Sequence, residues 1–175
     1  MKTSSAGLIN IRHAVPTDAP KLAEIKNRSW EAAYKDIVTP DFLQKKNERR
    51  LSDVENYLND EYYSQFQYAI ECDGVIVGVM TVAPPYDDDT EEDIYDLQAI
   101  YLHPDYFRQG IGTIATEFAF DIARNLGKKA MIVWVFTDNH NSIRFYEKCG
   151  FSADGKTKIL NVSKPRNAIR MKKDL

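Results

Sequence analysis

Residues 103–113 read His103-Pro104-Asp105-Tyr106-Phe107-Arg108-Gln109-Gly110-Ile111-Gly112-Thr113. Upstream, residues 94–102 are a β-rich run, and Pro104 ends it because proline cannot continue a ladder inside a sheet. Downstream, Ile111, Ile114, Ala115, Phe118, Ile122 and Leu126 form the apolar stripe of an amphipathic helix that Gly127 stops. The first N–H groups of such a helix lack partners within it, and the peptide dipoles add partial positive charge. With glycines that let the backbone approach a ligand, this makes a site for phosphate or pyrophosphate, and Arg108 adds a full charge. The segment also matches a dinucleotide fingerprint, Gly110-x-Gly112-x-x-Ala115. Two features weigh against that alternative. The loop after Leu102 is long for a strand feeding straight into the first glycine, and the position about 20 residues on falls in an apolar run, where the fingerprint needs an acid.

Working outward, residues 8–14 alternate apolar and polar as a strand does. Thr17 or Asp18 offers an N-cap for a helix through Leu22, Ile25 and Trp30, with Pro20 tolerated in its first turn. Pro40 breaks the next stretch, and residues 52–60 turn helical again with Val54, Tyr57 and Leu58 on one face. Residues 66–72 and 75–82 are strands joined by Asp73-Gly74, a pair suited to a two-residue hairpin turn. Residues 131–136 read as a strand buried on both faces. Asp138, Asn139 and Asn141 offer caps for a helix through Ile143, Tyr146 and Cys149, closed by Gly150. Two β-like stretches, 151–160 and 168–171, finish the chain. The predicted architecture is α/β: a mixed central β-sheet flanked by helices. Residues 1–7 read as a disordered N-terminus and residues 8–175 as a single domain.

The chain of 175 residues fits one self-supporting core. A net charge of −3 without a basic run argues against a nucleic-acid partner. Two cysteines, with neither CxxC spacing nor neighbouring histidines, read as reduced thiols and give no metal site. No apolar run approaches the roughly 20 residues of a membrane span, and no signal-peptide core is visible, so the expected location is cytoplasmic.

A second motif follows about 30 residues after the first, Asp138-Asn139-His140-Asn141-Ser142-Ile143-Arg144-Phe145-Tyr146-Glu147-Lys148-Cys149-Gly150-Phe151. Together the two segments resemble the GNAT superfamily of acetyl-CoA-dependent N-acetyltransferases, and the first 60 residues, with Trp30-x-x-x-Tyr34, are similar to the N-terminal helical part of its bacterial small-molecule members. The first is similar to the Q/R-x-x-G-x-G/A signature, preceded by Ile100-Tyr101-Leu102-His103-Pro104. The second is similar to N-x-x-A-x-x-x-Y-x-K-x-G-F, with Asn139, Ser142, Tyr146 and Gly150-Phe151 in the matching places. One departure is Phe107, which stands where the first signature opens with Gln or Arg.

The resemblance implies a GNAT fold and acetyl-CoA as co-substrate, without a metal. Ile100, Tyr101 and Leu102 would hold the pantetheine arm. The amides of Arg108, Gln109, Gly110, Ile111, Gly112 and Thr113 would hold the pyrophosphate, and Asn139 would reach the arm or cap its helix. Tyr146 is the expected general acid, since a phenol keeps its proton at neutral pH. Asp96 is the candidate base and shares a strand face with Gln98 by period-2 alternation. Trp30, Tyr34 and Gln98 would border the acceptor, an amine. Seven carboxylates within residues 87–96 suggest a cationic small molecule such as a polyamine. A peptide or protein amine and a non-catalytic acetyl-CoA sensor are the alternatives, and an exposed sheet edge near the C-terminus leaves a homodimer open.

Overall fold

The computed structural model describes residues 2–87 and 91–175. Eight strands form one sheet in the order β1-β2-β3-β4-β5-β6-β8-β7. They are β1 (Lys2–Ser4), β2 (Gly7–His13), β3 (Gln67–Cys72), β4 (Val75–Ala83), β5 (Ile94–Leu102), β6 (Ala130–Phe136), β7 (Ser152–Val162) and β8 (Lys164–Asp174). Every pairing is antiparallel except β5 with β6. The helices are α1 (Ala19–Tyr34), α2 (Pro40–Asn59), the short α3 (Glu61–Ser64), α4 (Ile111–Asn125) and α5 (His140–Lys148).

Strand alternation sorts these helices onto two faces. Tyr68, Ile70 and Cys72 of β3 pack in one cluster with Ala115, Ala119 and Phe120 of α4 and Tyr146 of α5. Their neighbour Ala69 points the other way, into a cluster with Leu22 and Ile25 of α1 and Val54 and Leu58 of α2. The Asp73-Gly74 turn has φ of 48° and 80°, the left-handed pair a tight hairpin needs.

The expected element order is present, with two corrections. Residues 2–4 pair with β2 as a short edge strand instead of lying disordered, and Ser5 Oγ donates to the Gln109 carbonyl at 3.1 Å. A polar sequence does not signal this, because the contact is made 104 residues away. Pro40 opens α2 instead of breaking a helix: it lies in the first turn, where its missing N–H costs nothing, and Thr39 Oγ1 accepts from Phe42 N.

Candidate active site

β5 and β6 pair only from Ile94 with Ala130 to Asp96 with Ile132, and then diverge. Beyond that point Ile100, Tyr101 and Leu102 keep β4 on one side and have no strand on the other. The facing residues of β6, Val133 to Phe136, pair only with β8. An extended chain entering this split meets open main-chain donors and acceptors, as an added strand would.

A β-bulge sits beside the split. Leu97 pairs with Val82 and Ala99 with Thr81, which makes Gln98 the extra residue. Tyr95 and Leu97 face α4, and after the bulge Ile100 and Leu102 do so, while Tyr101 packs towards α1. Strict alternation therefore fails past Gln98, whose Nε2 donates to the Pro84 carbonyl at 2.9 Å and braces the end of β4.

The turn after β5 carries two left-handed residues one apart, Arg108 (φ 60°) and Gly110 (φ 83°). Among the described residues, no backbone N–H of residues 108–113 has a protein acceptor. Curled amides at the start of a helix make an anion nest, which fits the diphosphate of a nucleotide cofactor. The turn is braced by Gln109 Nε2, which donates to the Asp105 carbonyl at 2.7 Å. Gly110 is required by its φ. Gly112 has a different reason: a Cβ there would lie 3.1 Å from Phe145 Cζ, so its smallness lets α4 and α5 approach.

Tyr146 projects from α5 and is buried against Phe145 and Phe151, with ring centroids 5.1 and 5.5 Å away. Burial pushes its phenol well above the ordinary value, and Tyr34, Tyr101, Cys149 and Asp96 push the same way. The hydroxyl thus feels groups from both layers, across the split. Asn139 caps α5, its Oδ1 accepting from Ser142 N at 3.1 Å, and its side chain also lies beside the Tyr34 hydroxyl.

Asp96 is the most perturbed carboxylate of the site. It is 4% exposed, its Oδ1 has no hydrogen-bond partner among the described residues, and burial raises its pKa to about 7. Asp87 adds to the rise, while Lys158 and Arg170 oppose it. A carboxylate whose pKa is raised towards neutrality is a stronger proton acceptor than an ordinary one, which suits it to general-base chemistry.

On the α1 side, Trp30 and Tyr34 meet at a tilt with ring centroids 4.6 Å apart, and Phe136 meets Tyr34 edge-on at 5.7 Å. Tyr101 joins them, and the Trp30 indole N–H acts on its hydroxyl without reaching hydrogen-bond geometry. Arg166 Nη2 donates to the Ile37 carbonyl at 2.7 Å and Thr39 N to Ser163 Oγ at 3.3 Å, which tie the β7–β8 hairpin to the α1–α2 loop.

The sequence profile described as Acetyltransferase (GNAT) family matches residues 22–151. The chain belongs to this family. Its fold agrees: the PaiA N-acetyltransferase of Thermoplasma acidophilum, solved with coenzyme A, superposes with a TM-score of 0.77 at 20% identity, covering 96% of this chain and 99% of that one. Peptidyl-lysine N-acetyltransferase YjaB of Salmonella typhimurium is 27% identical over 90% of this chain and 93% of its own. The uncharacterized N-acetyltransferase MJ1207 of Methanocaldococcus jannaschii is 30% identical over 61 residues, and there this chain spans 27% of the relative. Acetyl-CoA is the co-substrate of the GNAT family. Among the described residues, no helix is long and apolar enough to cross a membrane, and no cluster of His, Cys, Asp or Glu could hold a metal.

Two features bear on the expected acceptor, the acidic segment and Trp30. Of the acidic segment, residues 88–90 lie outside the described residues. Asp87 is engaged by Lys158 Nζ at 3.0 Å and Trp134 Nε1 at 2.8 Å, Asp93 by Lys129 at 2.8 Å, and Asp96 is buried, so most of the described carboxylates are turned inward or paired. Trp30 is 7% exposed, and Lys46 Nζ and Arg50 Cζ each already stand 5.3 Å from its ring centroid. The ring is thus buried and already paired with two cations of this chain.

Proposed function

We propose that the protein transfers acetyl from acetyl-CoA to a primary amine by direct attack, with Asp96 as base and Tyr146 as acid. The observation that carries this reading is the opposed pair: a carboxyl poised near neutrality and a phenol held firmly protonated, both within electrostatic reach of one split. Asp96 takes a proton from the amine, directly or through one water. The amine nitrogen bonds to the thioester carbonyl carbon, whose oxygen is polarised by the open main chain of β5 near Gln98 and Ala99. As the carbon–sulfur bond breaks, Tyr146 donates its proton to the departing sulfur. Exchange with solvent returns a proton to Tyr146 and removes one from Asp96. Ile100, Tyr101 and Leu102 align the pantetheine arm, residues 108–113 bind its diphosphate, and Asn139 keeps α5 in register with the split.

An acetyl-cysteine intermediate has less support. Burial raises the pKa of both Cys149 and Cys72, which lowers their thiolate fraction. The deciding comparison is wild type against Tyr146→Phe. We expect kcat to fall about 10²–10⁴-fold while the affinity for acetyl-CoA is kept. Equal loss of both would mean that Tyr146 only packs the helix.

A further inference from the structure

Helices α1 and α2 face each other over the sheet through two stripes of period four. On α1 the stripe is Leu22, Lys26, Trp30 and Tyr34; on α2 it is Lys46, Arg50, Val54 and Leu58. At one end the stripes are apolar, with Leu22 against Val54 and Leu58. At the end nearer Trp30 they carry three cations. Arg50 is buried; its Nε donates to Asn27 Oδ1 at 3.2 Å, and its Nη2 has no acceptor among the described residues. Burial lowers the pKa of all three groups, and repulsion from neighbouring cations adds to it at Lys26, which falls to about 8, and at Lys46. The carboxylate that acts on them is Asp53, which Arg49 also holds, at 3.7 Å.

Three half-buried or buried cations sharing one carboxylate among the described residues are an expensive arrangement for a fold whose net charge is negative. Their position is equally informative. Lys46 and Arg50 touch Trp30, Trp30 touches Tyr34, and Tyr34 and Tyr101 act on the Tyr146 hydroxyl. Arg50 also acts on Tyr101. The cluster therefore borders the acceptor side of the split, away from the 108–113 turn, which has its own free amides. We propose that the acceptor is an amine carrying an anionic group, a carboxylate or a phosphate, and that Lys26, Lys46 and Arg50 bind that group between α1 and α2. This rests on the acetyl-transfer reading above and replaces the cationic acceptor suggested by the acidic segment.

The test has a binding arm and a turnover arm. In a Trp134→Phe background, inorganic phosphate and acetate are titrated into protein saturated with coenzyme A, and Trp30 fluorescence is followed. A saturable change is expected, weakened about tenfold or more in Lys26→Met and in Lys46→Met, with coenzyme A affinity unchanged. In turnover, L-methionine is compared with L-methioninamide, and glucosamine 6-phosphate with glucosamine. The charged member of at least one pair should have the higher kcat/KM by about tenfold, and that pair identifies the group bound. No saturable anion response, anion affinity unchanged from wild type in both variants, or measurable but equal turnover within both pairs would overturn the inference. Anion binding lost in both variants, with no amine acetylated, would uphold the anion site and count instead against the acetyl-transfer reading.

Discussion

Replacing Asp96 with Asn should stabilise the protein at pH 8 and do almost nothing at pH 4. The folded state raises this carboxyl from 3.8 to about 7, chiefly because burial disfavours its charged form. Between those values the folded chain binds more protons than the unfolded chain, so this group makes stability fall as pH rises. At 1.36 kcal/mol per decade of proton affinity, the loss by pH 8 is about 4 kcal/mol, an upper bound because water entry and local relaxation around the charged form reduce the cost of burial. An Asn side chain cannot ionise and so avoids that loss. Urea unfolding of wild type and Asp96→Asn at pH 4 and pH 8 reads it directly. The difference between the two proteins should grow by about 2–4 kcal/mol across that range. The same substitution should lower kcat/KM about 10²-fold and remove the limb of its pH profile near 7. A stability difference independent of pH, or a wild-type limb near 4, would refute the claim that burial sets the proton affinity of this base.

Three further outcomes follow from the same geometry. Lys26→Met should raise stability at pH 7 by up to about 3 kcal/mol, less for the water that reaches its half-buried stem, because it removes a cation whose pKa is carried from 10.5 down to about 8; the gain should vanish as pH rises through 8 towards 10.5, as thermal melts at pH 7 and 10.5 would show. Gly112→Ala places a methyl 3.1 Å from Phe145 Cζ and should cost about 1–3 kcal/mol in denaturant unfolding, with weaker coenzyme A binding as α4 and α5 part. Gly110→Ala forces a Cβ onto a φ of 83° and should cost about 1–2 kcal/mol in the same assay, with no steric clash to relieve.

The parts legible in the sequence are those set by local chemistry. Apolar periodicity located α4, Asp73-Gly74 located a hairpin, and Asn139 and Gly150 bracketed α5, because caps, turns and amphipathic stripes act over a few residues. Less legible were features that depend on partners far along the chain. The bulge at Gln98, past which Tyr101 turns towards the α1 side, arises only when β5 meets β4. Period-2 alternation makes Asp96 a candidate base in the sequence, but the burial that raises its pKa comes only from the assembled sheet. The cationic seam did leave a trace: Lys26 stands between Leu22 and Trp30, and Arg50 before Val54, on stripes that are otherwise apolar. A charge on a buried stripe is the signal that could have found it.

The most direct test of the central claim is a rapid-mixing measurement of coenzyme A thiol released from acetyl-CoA, with and without an acceptor amine. Direct attack predicts release only when the amine is present, one acetylated amine for each thiol, and no burst before it is added. A burst stoichiometric with enzyme in the absence of amine would instead establish an acetyl-enzyme, and the proposed roles of Asp96 and Tyr146 would fall.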